Sequence, residues 1–156
     1  MLSPIVLFAY NRPDHIKLTL DALSKNTLAK DSVIFIFCDG PIKKIKDPNY
    51  LRDIEKVRQL CEDINGFKDK IIIKSDINKG IVNSITEGIT QIVNKFGKII
   101  VLEDDIVTSP YFLEYMNEGL DIYANHDNVY SVNGYNFPLD NVNEYISFLI
   151  PLTSSW

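Results

Sequence analysis

The sequence predicts an α/β fold: an open, mostly parallel sheet with helices on both faces. Two observations predict it. Short apolar runs of strand length alternate with stretches whose apolar residues recur every three or four positions, and this alternation repeats four times. The apolar runs also end in turns of polar residues, glycine or proline, which separate one element from the next.

The first strand is Ile5 to Tyr10, apolar as in a strand buried on both faces, and Asn11-Arg12-Pro13 breaks it. A helix follows from near Asp14, with Ile16, Leu20 and Leu23 at helical spacing. Val33 to Cys38 is a second buried strand, ended by Asp39-Gly40-Pro41, and the loop after it carries Lys43, Lys44 and Lys46. Asp47-Pro48 has the form of an N-cap followed by proline in the first turn. Leu51, Ile54, Val57, Cys61 and Ile64 line one face of that helix, and Asn65-Gly66 closes it.

Ile71 to Lys74 is the third strand, and Asp76 to Gly80 a polar turn. From Ile81 onward, Ile85, Ile89, Ile92, Val93 and Phe96 form an amphipathic helix that Gly97 ends. Lys98 to Leu102 is a fourth buried strand running into Glu103-Asp104-Asp105. Ser109-Pro110 opens a helix with Leu113, Met116, Leu120 and Tyr123 on its apolar side, and Val129 to Val132 is a short fifth strand.

The chain has 156 residues, 46% of them apolar, which suits a single domain over 1–156 with a genuine core. It contains no internal repeat, low-complexity tract or interdomain linker. The longest apolar runs are too short to cross a bilayer, and the N-terminus lacks the marks of a signal peptide. The only cysteines, Cys38 and Cys61, suit core positions in a reducing compartment better than a disulfide framework. A net charge of −5 argues against a nucleic-acid surface, yet leaves room for a phosphate ligand in a cleft made locally positive.

In parallel sheets of this kind ligands bind beyond the C-terminal ends of the strands. Three polar signals stand there: Asn11-Arg12, Asp39-Gly40 and Glu103 to Asp105. The acidic run is the sharpest. Extended backbone would turn Glu103 and Asp105 one way and Asp104 the other. Two carboxylates about 4 Å apart repel by roughly 4 kcal/mol at an effective dielectric near 20. A divalent cation removes that repulsion, and Mg²⁺ or Mn²⁺ takes one or two carboxylates with phosphate oxygens and water completing its shell. A solvated acidic strand end has the same sequence signature.

The other signals also carry two readings each. Asp39 suits a contact to a ribose or base, or an ordinary turn. Arg12 offers a planar fork of donors to a diphosphate or base edge, or an exposed arginine at a helix start. Asn78-Lys79-Gly80 places amides and a lysine at a helix N-terminus suited to an anion, or a simple cap by Asn78. Tyr10, Tyr135 and Phe137 suit stacking on a base or sugar, and core packing equally. His15 and His126 fall in polar surroundings as solvated side chains, and no Ser-His-Asp or Cys-His arrangement can be assembled. Neither G-x-G-x-x-G nor G-x-x-x-x-G-K-[ST] is present, which argues against dinucleotide and P-loop folds.

The segments PIVLFAYNRPDHIKLTLDAL, FCDGP, NKGIVNSITEGI and VLEDDIVTSPYFLEYM together resemble the GT-A glycosyltransferases. The likeness is to the branch that includes the N-acetylglucosaminyltransferase I type enzymes and related bacterial sugar transferases, and it covers almost the whole chain. It implies a Rossmann-like, nucleotide-diphospho-sugar transferase fold and metal-dependent transfer of a sugar, often UDP-linked, to a glycan or other hydroxyl acceptor. By position, Asp105 would ligand Mn²⁺ or Mg²⁺, and Glu103 and Asp104 would touch the sugar and ribose or metal-bound water. Ala9, Tyr10, Asn11, Arg12 and Asp39 would contact the nucleoside, and Asn78, Lys79 and Gly80 would flank the diphosphate. Ser131 to Asn136 matches a segment near the acceptor side.

Members of this branch continue past an aromatic segment like PLTSSW into an acceptor-binding half that holds the catalytic base. The resemblance therefore places that half, and the base, after Trp156; Asp140 and Glu144 are the loop acids within reach. It implies a bacterial polysaccharide pathway, in the cytoplasm or peripheral to the membrane, with no nucleic acid or transmembrane segment involved. Two other functions suit the same residues: a non-catalytic nucleotide-sugar-binding module, and a metal-dependent nucleotidyl or phosphoryl transferase.

Overall fold

The computed structural model describes residues 1–135. Its elements are β1 (Ile5–Ala9), α1 (Pro13–Leu23), a 3-10 turn (Ala29–Asp31), β2 (Val33–Cys38), α2 (Pro48–Asp63), β3 (Asp69–Lys74), α3 (Ile81–Phe96), β4 (Ile100–Glu103) and α4 (Phe112–Ile122). The four strands form one parallel sheet in the order β3-β2-β1-β4. Ile5 to Ala9 pair with Ile34 to Cys38 on one side, and Ile5 to Phe8 with Ile100 to Glu103 on the other. The α/β class with a parallel, helix-flanked sheet is the one the sequence pattern calls for.

Strand period sorts the side chains of β1 into two cores. Ile5, Leu7 and Ala9 meet Ile16, Leu20 and Leu23 of α1, Val57 and Cys61 of α2, and Leu113 and Met116 of α4. Val6 and Phe8, with Phe35 and Phe37 of β2, meet Ile92 of α3 and the partly buried Ile85, Ile89 and Phe96. Each fully buried leucine or isoleucine contributes roughly 1.5–3 kcal/mol of apolar transfer. Gly88 explains how one helix covers that second face closely. A Cβ there would lie 2.6 Å from Phe8 Cε1, so only glycine lets α3 rest against the ring. Both cysteines are free and buried, as core residues.

Helix starts follow the local signals. Pro13 opens α1, and the Asp47 carboxylate accepts from the Asn49 amide at 2.9 Å as the N-cap of α2. Gly97, at φ 80°, ends α3 in the left-handed region that glycine favours. Several boundaries differ from the sequence pattern. β1 stops at Ala9 rather than Tyr10, β4 begins at Ile100 and runs on to Glu103, and α4 begins only at Phe112.

The expected fifth strand at Val129 to Val132 does not form among the described residues. Among the described residues that segment has no ladder partner; it starts from a turn in which the Val129 amide donates to the His126 carbonyl at 2.9 Å. Val132 instead packs where Gly119 of α4 has no side chain. β-branched side chains suit this helix contact as well as a strand, so periodicity alone misassigned them. Among the described residues no helix is long and apolar enough to cross a membrane.

Candidate functional site

Because β2, β1 and β4 are parallel neighbours, their C-terminal ends bring Asp39, Asn11-Arg12 and Glu103 to Asp105 to one edge of the sheet. Two clusters form there, one around the acidic run and one around Asp39.

At the acidic corner extended backbone ends with Glu103, and Asp104-Asp105 lie in a turn. Thr19, buried on α1, donates its hydroxyl to the Asp104 carbonyl at 2.8 Å and pins that turn. The turn cancels the strand alternation. Asp104 and Asp105 do not point to opposite sides; both reach the guanidinium of Arg12, which donates Nη2–H to Asp104 Oδ1 and Nη1–H to Asp105 Oδ2, the latter at 3.0 Å. Asp104 is buried, whereas Asp105 and Arg12 are partly open to solvent. The hydrogen bond to Asp104 is the main reason that Arg12 is held more firmly protonated than usual.

Glu103 differs from its neighbours. It is half-buried, and no hydrogen bond or ion pair holds its carboxylate among the described residues. Burial first, then the negative charges of Asp105 and Asp104, push its carboxyl above the usual range against the pull of Arg12. Among the described residues no group of three or more acidic, histidine or cysteine side chains is arranged to hold a metal ion. The donor set is therefore a partial one. Asp104 and Asp105 converge on a single positive group, and an oxygen-seeking divalent ion would complete its shell from a ligand and water.

Asp39 is buried at the end of β2, its own amide donating to the Ala9 carbonyl of β1 at 2.9 Å. Its Oδ1 accepts from the amides of Gly40 (2.8 Å) and Lys79 (2.9 Å). Its Oδ2 accepts from the Asn78 side chain (3.0 Å) and the Gly80 amide (3.2 Å). A carboxylate has about four acceptor positions, and all are used. The anion that the amides before α3 were expected to attract is thus the protein's own.

Asn78 does not cap α3. Gly80, at φ 78°, takes the N-cap position, and the Asn78 side-chain Nδ2 also donates to the Gly40 carbonyl at 3.1 Å. Gly40 is fixed in kind: a Cβ there would lie 2.5 Å from the backbone of Ile77. Lys79 turns its ammonium away, to Glu87 at 2.6 Å.

Tyr10 is half-buried, and its hydroxyl is hydrogen-bonded to that of Tyr50, which accepts from the Ile42 amide at 2.8 Å. The two rings meet edge to face, with centroids 6.2 Å apart. Burial, more than the bond to Tyr50, pushes the Tyr10 phenol well above its ordinary range. Its ring therefore ties the β1 exit to the loop at Ile42. Asn11 is half-buried beside Arg12, His15 and His126 are exposed as expected, and Lys43, Lys44 and Lys46 lie in an exposed loop. Tyr135 is exposed, while Asn136, Phe137, Asp140, Glu144 and PLTSSW lie outside the described residues.

A cleft of about 480 Å³ opens beside the Asp39 cluster, over the ends of β2 and β3 and against α3. Phe37, Ile73 and Gly88 give it an apolar floor; Asp39, Lys79 and Glu87 give it a polar rim. Such a volume is in the range of small-molecule sites.

Three supporting residues escaped the sequence reading. Thr19 is a hydroxyl within the apolar stripe of α1, a signal that was present. Asn26 accepts from the Leu113 amide at 3.0 Å and donates to Thr108 Oγ1 at 3.1 Å, holding the loop that leaves the acidic corner. Tyr50 carried no distinctive signal, because its partner lies 40 residues away. Compared with known proteins, the chain matches no family model and no curated sequence.

Proposed function

We propose that the chain binds a nucleoside diphosphate-sugar, UDP-linked, through a divalent metal, as the donor-binding part of a glycosyltransferase. One observation carries the reading: the parallel strands deliver a guanidinium after β1, a carboxylate pair after β4 and, after β3, a glycine-bearing helix N-terminus held by Asp39, all at one edge of the sheet, with a half-apolar cleft beside Asp39. The order of sequence segments that resembles GT-A enzymes supports the same reading.

Each group has a task that its chemistry suits. The cleft floor of Phe37 and Ile73 accepts a flat, partly apolar base. Arg12 supplies two parallel donors to a diphosphate. Asp105, the more exposed of the pair, and Asp104 are the residues that would hold Mn²⁺ or Mg²⁺, with Glu103 beside them. Bound there, the metal would supply neutralising charge to the departing diphosphate. Asp39 serves as a positioning residue, holding Asn78 to Gly80 where they flank the ligand.

A second reading, a nucleotide-sugar-binding module without transfer chemistry, is favoured by the saturation of Asp39 and the pairing of both aspartates with Arg12. Thermal-shift measurements with UDP, GDP and their sugars, with and without Mn²⁺, test binding in either case. A shift with UDP-sugars that needs Mn²⁺ is the expected result. No shift with any nucleotide removes both readings. Analysis of released sugar, nucleotide and phosphate then separates a transferase from a module and from a phosphoryl transferase.

A further inference from the structure

We infer that Arg12 is the resident counter-ion of the acidic corner, holding Asp104 and Asp105 together and releasing them only when a divalent cation and a diphosphate arrive together. The inference rests on the donor-binding reading above and names how that site is kept closed to metal alone.

Asp104 is 3% exposed, and its carboxylate, unlike that of Asp39, has no amide donor among the described residues, so a cation beside it offsets the cost of its burial. In this structure the cation is Arg12. Its guanidinium holds one oxygen of each carboxylate, so a second positive group drawn to the pair would sit against it and be repelled. Arg12 is also able to leave. Its side chain is 42% exposed, its hydrogen-bond partners are these two aspartates, and it makes no side-chain cap on α1 although it occupies the N-cap position. A half-exposed guanidinium at a strand exit can exchange one pair of oxygens for another, and a diphosphate offers the same fork of acceptors as two carboxylates.

Linkage follows. Whatever draws Arg12 away frees the carboxylates, and whatever occupies the carboxylates frees Arg12, so metal and diphosphate each strengthen the other's binding by the same factor. Metal alone must displace the guanidinium without offering it a new partner, and binds weakly.

The test is a titration of the 156-residue chain with Mn²⁺, free Mn²⁺ being read by its electron paramagnetic resonance signal, with and without UDP, for the parent, Arg12→Gln and Arg12→Lys. In Arg12→Gln, Mn²⁺ alone should bind about tenfold tighter than to the parent, and the gain that UDP brings should shrink to the part owed to its own phosphate oxygens on the metal. Arg12→Lys, which keeps a compact charge without the fork, should move both quantities in the same directions by less. It decides the matter if the glutamine variant does not fold. These opposite signs are what a merely structural arginine would not give. If Mn²⁺ alone binds the variants no tighter than the parent, the counter-ion role is overturned, while UDP-dependent Mn²⁺ binding by the parent leaves the donor-binding reading standing. If the parent takes up no Mn²⁺ even with UDP, the reading fails and this inference falls with it.

Discussion

Asp39 and Asp104 are both buried carboxylates at the same sheet edge, and they are satisfied in opposite ways. Asp39 is held by three backbone amides and one side-chain amide, from the turn that follows it and from the loop before α3. Asp104 is held by one half-exposed side chain that also serves Asp105. Backbone donors cannot leave without unfolding their loop, whereas a guanidinium can swing. The first carboxylate is therefore scaffold, and the second belongs to a pair whose counter-ion can be exchanged.

The largest effect that tests this contrast comes from Asp39→Ala. It strands the amides of Gly40, Lys79 and Gly80, of which only the first is fully buried, and should cost about 2–3 kcal/mol in urea denaturation. A loss under about 1 kcal/mol would mean that the loop stands without it. Gly88→Ala tests the seat of α3 away from its N-terminus. The new methyl meets the Phe8 ring, and overpacking of about 1–3 kcal/mol outweighs the roughly 1 kcal/mol gained in helix propensity.

At the other corner, Asp104→Ala should cost roughly 1–2 kcal/mol and Asp105→Ala no more than about 0.5 kcal/mol, because only the first is buried. Equal losses would contradict the placing of Asp104 as the buried member of the pair and Asp105 as the open one. Glu103→Gln is the smallest. The folded carboxyl is raised above its unfolded value, so ionisation weakens the fold as pH rises through the folded value, and the penalty is absent below the unfolded one. In metal-free buffer the glutamine variant should melt slightly higher at neutral pH, with the difference gone below about pH 4.

The sheet was legible because its central strands β1 and β2 are buried on both faces and its helices are amphipathic. Ile5 to Ala9 is a short apolar run cut off by Asn11-Arg12-Pro13, and Ile81 to Phe96 has a helical period, so each admits one reading. Val129 to Val132 admitted two, and only the gap left by Gly119 decides between them. Strand-end polarity likewise located the edge, since Arg12, Asp39 and Asp104 follow buried runs directly. What could not be read was who partners whom. The turn at Asp104, the Asp39 loop closure and the Tyr10–Tyr50 pair all join residues about 40 to 90 positions apart, and they reassign side chains expected to face a ligand.

Calorimetry of UDP binding in Mn²⁺ and in EDTA, for the parent and Asp105→Ala, tests the donor-site account most directly. Binding by the parent that is strong in Mn²⁺, weak in EDTA, and reduced to the EDTA level by the substitution is the predicted result. Affinity for UDP that is the same in both buffers, or untouched by loss of Asp105, would contradict it.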